Sequence, residues 1–280
     1  MKFSFVSLLT KLTLATSVAG ALVGCDEPTY PTPTPVTESS VGQARVLVVN
    51  AAPGSQGVTA TVDSSPFGAV APYLGTAATS YTNVAAGQRL FLFNDPANIP
   101  SNAVTSPPAA PATPRTVVSR TAYLGGTNYT VFITDLPARA FATGDQGGIR
   151  TVTLTDNLAA PAVAANAKVR FVNLSPSATG GNTTYGIFNS LTQASFFTAA
   201  PTRAFRGLST GTGTAAVNFA NFTEVAAGAY RLDVRSAATT PLAGTRQDIT
   251  LVAGKIYTLY IRGIAGNANT PLGISLVTHN

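Results

Sequence analysis

Along most of the chain apolar residues either alternate with polar ones or gather in short β-branched runs, and Gly or Pro separates one run from the next. Arg231-Leu232-Asp233-Val234-Arg235 alternates strictly, the pattern of a half-buried antiparallel strand, while Lys255-Ile256-Tyr257-Thr258-Leu259-Tyr260-Ile261-Arg262 is dense in β-branched and aromatic residues. Helical periodicity is hard to find. Breaks recur at intervals of about 8 to 15 residues, the spacing expected of a sandwich or barrel with roughly seven strands per domain. The turn glycines Gly87, Gly228, Gly126 and Gly254 are predicted to supply the positive φ of tight hairpins. They are not phosphate cradles, which require a following helix.

The pattern is written twice. Ala44-Arg45-Val46-Leu47-Val48-Val49-Asn50-Ala51-Ala52-Pro53 returns as Ala167-Lys168-Val169-Arg170-Phe171-Val172-Asn173-Leu174-Ser175-Pro176. Tyr81 to Gly87 is answered by Phe222 to Gly228, and Tyr129-Thr130-Val131-Phe132-Ile133 by Tyr257-Thr258-Leu259-Tyr260-Ile261, in the same order. Units of this size exceed solenoid repeats, so each is expected to enclose its own core. The fold class follows: all-β, with two tandem antiparallel β-sandwich domains, immunoglobulin-like or transthyretin-like.

The N-terminus has a different character. Lys2 and Lys11 precede and open an apolar stretch, Leu12 to Val23, that ends in Leu22-Val23-Gly24-Cys25. This is the layout of a secretory signal, too short to span a bilayer. It resembles the cleavage box of bacterial lipoproteins, which implies cleavage before Cys25 and acylation of its thiol. Cys25 is the only cysteine, so no disulfide is expected. After it, Asp26 to Gln43 is rich in Pro and Thr and suits an extended polyproline spacer. The resulting organisation is a lipoprotein signal peptide (1–24), an acylated Cys25 with extended linker (25–43), a first β-sandwich repeat (44–157), a connector (158–166) and a second repeat (167–280). A lipid-anchored position in the cell envelope is expected, with the outer membrane preferred and the inner membrane as the alternative.

Composition and charge narrow the function. The formal net charge of +6 falls to +4 once residues 1–24, with Lys2 and Lys11, are removed. Arg and Lys are scattered singly in a chain only 10% charged, which reads as solvated strand faces rather than a nucleic-acid surface. The one histidine, His279, stands next to the C-terminus and reads as an exposed tail residue, leaving no base for a hydrolytic triad. One histidine and one acylated cysteine provide no metal set, so neither metal nor cofactor is expected. Asp63, Asp95, Asp135, Asp145, Asp156, Glu224, Asp233 and Asp248 show no convergent pattern of the kind paired-carboxylate catalysis needs. The long stretch from Asn94 to Arg115, rich in Pro, is an insertion relative to Ser236 to Thr245 of the second repeat. Phe196, Phe197 and Phe205 are assigned to core or inter-domain packing, with a small apolar surface patch as the alternative.

The repeated blocks, the Val-Ala-Ala-Gly turn, the Tyr-Thr strand and the closing Leu154-Thr155-Asp156 that leads into the second copy resemble the bacterial family of domain of unknown function 4397. That resemblance implies an exported, Bacteroidota-like tandem sandwich and no particular activity. Family members often carry His where this chain has Asn50 and Asn173, and Asp where it has Gly54 and Ser177, so a polar site there would be altered. The reading is a membrane-anchored, non-catalytic module with a structural, adhesive or surface-interaction role; the alternative is a glycan- or small-ligand-binding accessory lipoprotein of an uptake system. The expected partners are the bilayer, through Cys25, and an extracellular glycan or protein. No nucleic-acid partner is expected, and the chain is expected to be monomeric.

Overall fold

The computed structural model describes residues 42–100, 113–142, 144–212, 216–236 and 240–280. The signal segment, Leu22, Val23, Gly24, Cys25, nearly all of the linker and the central part of the Pro-rich insertion lie outside them. The first repeat contributes β1 (Gln43–Asn50), β2 (Thr59–Val62), β3 (Ser65–Pro66), β4 (Thr82–Ala85), β5 (Gly87–Asn94), β6 (Val117–Tyr123), β7 (Asn128–Thr134) and β8 (Arg150–Asp156). The second contributes β9 (Asn166–Asn173), β10 (Thr184–Asn189), β11 (Arg203–Ala204), β12 (Ser209–Thr210), β13 (Val217–Asn218), β14 (Thr223–Ala226), β15 (Gly228–Arg235), β16 (Gln247–Leu251), β17 (Ile256–Arg262) and β18 (Gly273–Thr278). Among the described residues all the regular elements are strands.

Each repeat forms two four-stranded sheets, ordered β4-β1-β7-β8 and β3-β2-β5-β6 in the first, β14-β9-β17-β18 and β11-β10-β15-β16 in the second. Among the described residues, no strand of one repeat is hydrogen-bonded into a sheet of the other. The duplication extends to register: Val46 lies opposite Tyr129 as Val169 lies opposite Tyr257, and Asn50 opposite Ile133 as Asn173 opposite Ile261. These two central pairings, β1 with β7 and β9 with β17, are parallel, whereas the sequence pattern predicts antiparallel sheets. Alternation reports which face a side chain takes and not which way the neighbouring strand runs. Direction is set by the chain's path through the other sheet.

The turn glycines have positive φ, at 107° for Gly87, 152° for Gly228, 74° for Gly126 and 78° for Gly254. They are not at hairpins. Gly87 opens β5, which pairs with β2 and β6, directly after β4, which pairs with β1 in the facing sheet. Gly126 likewise stands where the chain leaves β6 for β7. The left-handed residue therefore turns a corner between sheets.

Period-two alternation divides β1 between two cores. Val46 and Val48 point into the first sandwich with Phe67, Phe91, Phe93 and Tyr123, where Phe91 meets Phe67 edge-on at 5.2 Å. Leu47 and Val49 point the other way, into a cluster that also contains Phe132, Val152 and Leu154 of the first repeat and Val172, Leu174, Tyr260 and Val277 of the second. Val169, Phe171, Leu259 and Ile261 fill the second sandwich with Ile187, Phe197, Leu232 and Val234. The result is four stacked sheets, with the β1 and β9 sheets inside. A strand covered on both faces needs apolar residues in succession, which is why Val46 to Val49 and Tyr257 to Ile261 read as runs. Phe196 and Phe197 meet edge-on at 5.2 Å, Phe197 in the second core and Phe196 packed beside it.

The seam between the inner sheets should contribute as much to stability as either sandwich core. Phe132→Ala, which removes the ring packed 5.5 Å from Tyr260, is expected to cost about 3–5 kcal/mol. Leu191→Ala, at a position 73% exposed, should stay within about 0.5 kcal/mol. Urea denaturation of both variants checks this, and equal costs would remove the seam from the core.

Candidate functional site

Six side chains from both repeats close a buried polar ring across the seam. Thr130 sits mid-strand on β7 and Asp156 ends β8; Arg170 lies on β9, Thr258 on β17, and His279 follows β18, while Tyr81 leads into β4. Arg170 is 1% exposed and His279 6%. The Arg170 guanidinium pairs with Asp156 Oδ1, and its Nε donates to Thr258 Oγ1 at 2.8 Å. Asp156 Oδ2 accepts from Thr130 Oγ1 and from Tyr81 Oη, each at 2.7 Å. His279 closes the ring, with Nδ1 2.6 Å from Tyr81 Oη and Nε2 2.7 Å from Thr258 Oγ1.

With a neutral imidazole, hydrogen-bond accounting gives this ring one consistent set of protons. A carboxylate only accepts, so the single Tyr81 hydroxyl proton goes to Asp156. His279 Nδ1 must then donate to Tyr81, leaving Nε2 to accept from Thr258, whose oxygen is free to accept from Arg170. The neutral imidazole is therefore the Nδ1–H tautomer. Burial pulls its pKa down to about 4, with Asp156 opposing and Arg170 assisting. Burial also raises the Tyr81 phenol, reinforced by Asp156, so that it stays a donor. Arg170 lies 4.5 Å from the centre of the Phe222 ring and its Nη1 donates to the Thr155 carbonyl at 2.8 Å. Both imidazole nitrogens and both carboxylate oxygens are engaged within the ring. The arrangement is a clasp and has no free base to offer a substrate.

His279 is thus buried, not an exposed tail residue, because the last strand of the second repeat ends against the first. The duplicated register shows how the ring arose. Leu47 and Arg170 occupy equivalent positions, as do Thr130 and Thr258, Tyr81 and Phe222, and Asp156 and His279. A signal was present in the sequence: Thr130 and Thr258 interrupt otherwise apolar inner strands, and a buried hydroxyl requires partners.

A second polar cluster lies at the other end of the β7–β8 pair. Asp135, fully buried with φ of 72°, accepts from the Leu136 backbone N–H at 2.9 Å and pairs with Arg139 at 2.8 Å and Arg150 at 3.4 Å. Arg139 also grips Asp145 with two bonds of 2.8 and 2.9 Å. That grip holds the Asp145 carboxyl down at about 2, whereas burial raises Asp135. Gly180 of the second repeat closes over this cluster, and a Cβ there would fall 2.4 Å from Arg139 Cδ.

Most of the remaining carboxylates are similarly engaged, although Asp95 Oδ2 is buried with no hydrogen-bond partner. Asp63 pairs with Arg89, Asp248 with Arg231, and Asp233 with Arg235, the last pair buried. Asp95 accepts from the backbone of Ala97 at 2.9 Å, an Asx turn. Glu224 accepts from the backbone of Ala162 and Val163 and so fastens the connector to β14. The sequence reading of Arg as solvated strand faces is therefore corrected: Arg139, Arg170, Arg203 and Arg235 are all buried, at 7, 1, 6 and 1% exposure. Asn50 and Asn173 also have a common role. The Asn50 amide donates to the Ala71 carbonyl at 3.0 Å and its oxygen accepts from Ala52, and Asn173 does the same with Arg203 and Ser175. They brace a loop in each repeat.

The clasp predicts a pH dependence. An unfolded histidine titrates near 6.5, so between that value and about 4 the unfolded chain holds a proton that the folded one excludes. The His279 contribution is flat above about 6.5 and is lost as pH falls toward 4, on the order of 3 kcal/mol in total. Urea unfolding from pH 7.5 to 4.5 should show a shallower loss for His279→Gln than for wild type. Parallel pH curves would rule the clasp out. Arg170→Met, which strands a buried carboxylate, should cost about 3–5 kcal/mol at pH 7.5.

No curated protein matches this chain. Two solved structures are similar over most of its length, both described as a "putative cell adhesion protein". One, from Bacteroides eggerthii, is 10% identical with a TM-score of 0.19, covering 86% of this chain and 96% of that one. The other, from Parabacteroides distasonis, is 11% identical with a TM-score of 0.19, covering 88% and 99%. The family match is specific to one region: residues 44–180, the whole first repeat with its connector, β9 and the loop after it, match the family described as "Domain of unknown function (DUF4397)". The matched segment includes Thr130, Asp156 and Arg170 of the clasp.

Proposed function

We propose that the mature chain is an exported lipoprotein tethered through acylated Cys25, presenting the paired sandwiches as a non-catalytic structural or adhesive module at the cell envelope. The observation that carries this is the sequence Leu22-Val23-Gly24-Cys25 at the end of the apolar run Leu12–Val23. The folded part supports it indirectly. A four-sheet stack clasped at the seam is a rigid body suited to bearing contact, and the Pro-rich spacer would set it away from the lipid. Outer-membrane display is the location this reading favours. Capture of a small ligand or glycan is the second reading, favoured by the cavity around Arg203 described below.

Metabolic labelling with a fatty-acid analogue should mark the wild-type chain, and Cys25→Ala should abolish labelling and leave the signal uncleaved at that site. Protease treatment of intact cells should release the sandwiches. Labelling of the variant at wild-type level would overturn the anchor, and full protection from protease would overturn surface display.

A further inference from the structure

The second sandwich contains a cation that its fold does not neutralise. Arg203, on the two-residue strand β11, is 6% exposed, and among the described residues no carboxylate lies within ion-pair distance of it. Its Nη1 donates to the Phe171 carbonyl, whereas its Nε is buried without a hydrogen-bond partner. Three rings hold the guanidinium: Phe219 at 4.1 Å, Phe171 at 4.7 Å and Phe197 at 5.3 Å. Ring faces attract a cation but leave its N–H donors unsatisfied. Burial pulls its pKa down to about 10, with no neighbouring charge to oppose it.

Comparison of the repeats shows that the fold does not require this residue. Tyr185 pairs with Arg203 as Val58 pairs with Ala71, and Asn173 donates to the Arg203 carbonyl as Asn50 donates to that of Ala71, in each case at 3.0 Å. The equivalent position in the first sandwich is thus an alanine, wholly buried. The arginine borders a cavity of about 270 Å³ lined also by Phe196, Phe197, Thr198, Asn218 and Asn221. That space equals about nine waters at liquid density, near the lower bound for small-molecule sites. Its walls supply the arginine cation, aromatic surface, amides and a hydroxyl.

We propose that this cavity in the second sandwich binds a small hydroxylated carboxylate of the uronic-acid class, with Arg203 receiving the carboxylate and the Phe196–Phe197 surface receiving the sugar's C–H face. Guanidinium is suited to planar carboxylate, and Asn221 and Thr198 would meet the hydroxyls. The proposal goes beyond the anchored-module reading and does not depend on the lipid.

Calorimetric titration of the mature chain with glucuronate tests it, alongside its methyl ester, which keeps the body and removes the charge, and acetate, which keeps only the charge. Saturable binding of glucuronate, at least tenfold weaker for the ester and for acetate, is expected. Arg203→Met should abolish it. Because that variant could unfold, Ala216→Trp, at an exposed position beside the cavity, provides a second block and should lower affinity at least tenfold with an unchanged melting curve. No heat at millimolar glucuronate, equal binding of the ester or of acetate, or undiminished binding by Ala216→Trp would each overturn the proposal. A glucuronate-terminated oligosaccharide forms the last arm: tighter binding than the free acid identifies a glycan end as the source, and equal or weaker binding identifies the free acid.

Discussion

The central strands of the inner sheets have no wet face, and most of what distinguishes this structure follows from that. The β1 sheet carries Val46 and Val48 into its own sandwich and Leu47 and Val49 into the seam, so any polar side chain on β1, β7, β9 or β17 must find a partner inside the protein. Thr130, Arg170 and Thr258 are such residues, and they lie in one ring with Asp156, Tyr81 and His279. At the other end of the β7–β8 pair, Asp135, Arg139 and Arg150 meet under Gly180, and Thr134 donates to the Leu174 carbonyl at 2.6 Å. Apolar contact fills the middle of the seam, the Arg170–Asp156 ion pair crosses it at one end, and the Thr134 hydrogen bond to Leu174 crosses it at the other. An apolar face alone permits sliding, whereas a ring of directed hydrogen bonds accepts a single register.

Duplication supplied the frame and divergence supplied the complementarity. Equivalent positions carry leucine and arginine, tyrosine and phenylalanine, aspartate and histidine, while the threonine pair is unchanged. Two identical faces would bring like groups together. Arginine in one copy and aspartate in the other make a pair that neither copy makes alone, and the histidine bridges the tyrosine and threonine of opposite copies. Arg203 is a divergence of the same origin, an arginine where the first copy has Ala71, but it lies inside one sandwich and has no acid opposite it.

A duplicated frame of this kind allows the outer parts to vary. The β3 and β11 edges of the two outer sheets are each a two-residue strand, while the second repeat adds the β12–β13 ladder beyond β11. Asn50 and Asn173 hold the loop at the same point in both copies, so the chain beyond can change without disturbing the strands. The Arg203 cavity is lined in part by that added chain, at Ala216 to Asn218. Recognition is commonly placed on loops carried by a rigid scaffold for this reason.

Strand content, the duplication, its order of blocks and the positive-φ glycines were all legible in the sequence, because each depends on local sterics or on side-chain period, which neighbouring residues determine among themselves. The continuous runs at Val46–Val49 and Tyr257–Ile261 also recorded that the inner sheets are covered on both faces. Parallel pairing of β1 with β7, the use of Gly87 and Gly126 as corners between sheets, and the burial of His279 were decided only by the tertiary structure. Strand direction depends on the chain's whole path, and a residue two places from a strand end is exposed or buried according to what packs over it. The isolated arginines are the clearest case: a lone cation in sequence carries no mark of its partner, and the carboxylate that meets Arg170 reaches it only when two sheets from different repeats come face to face.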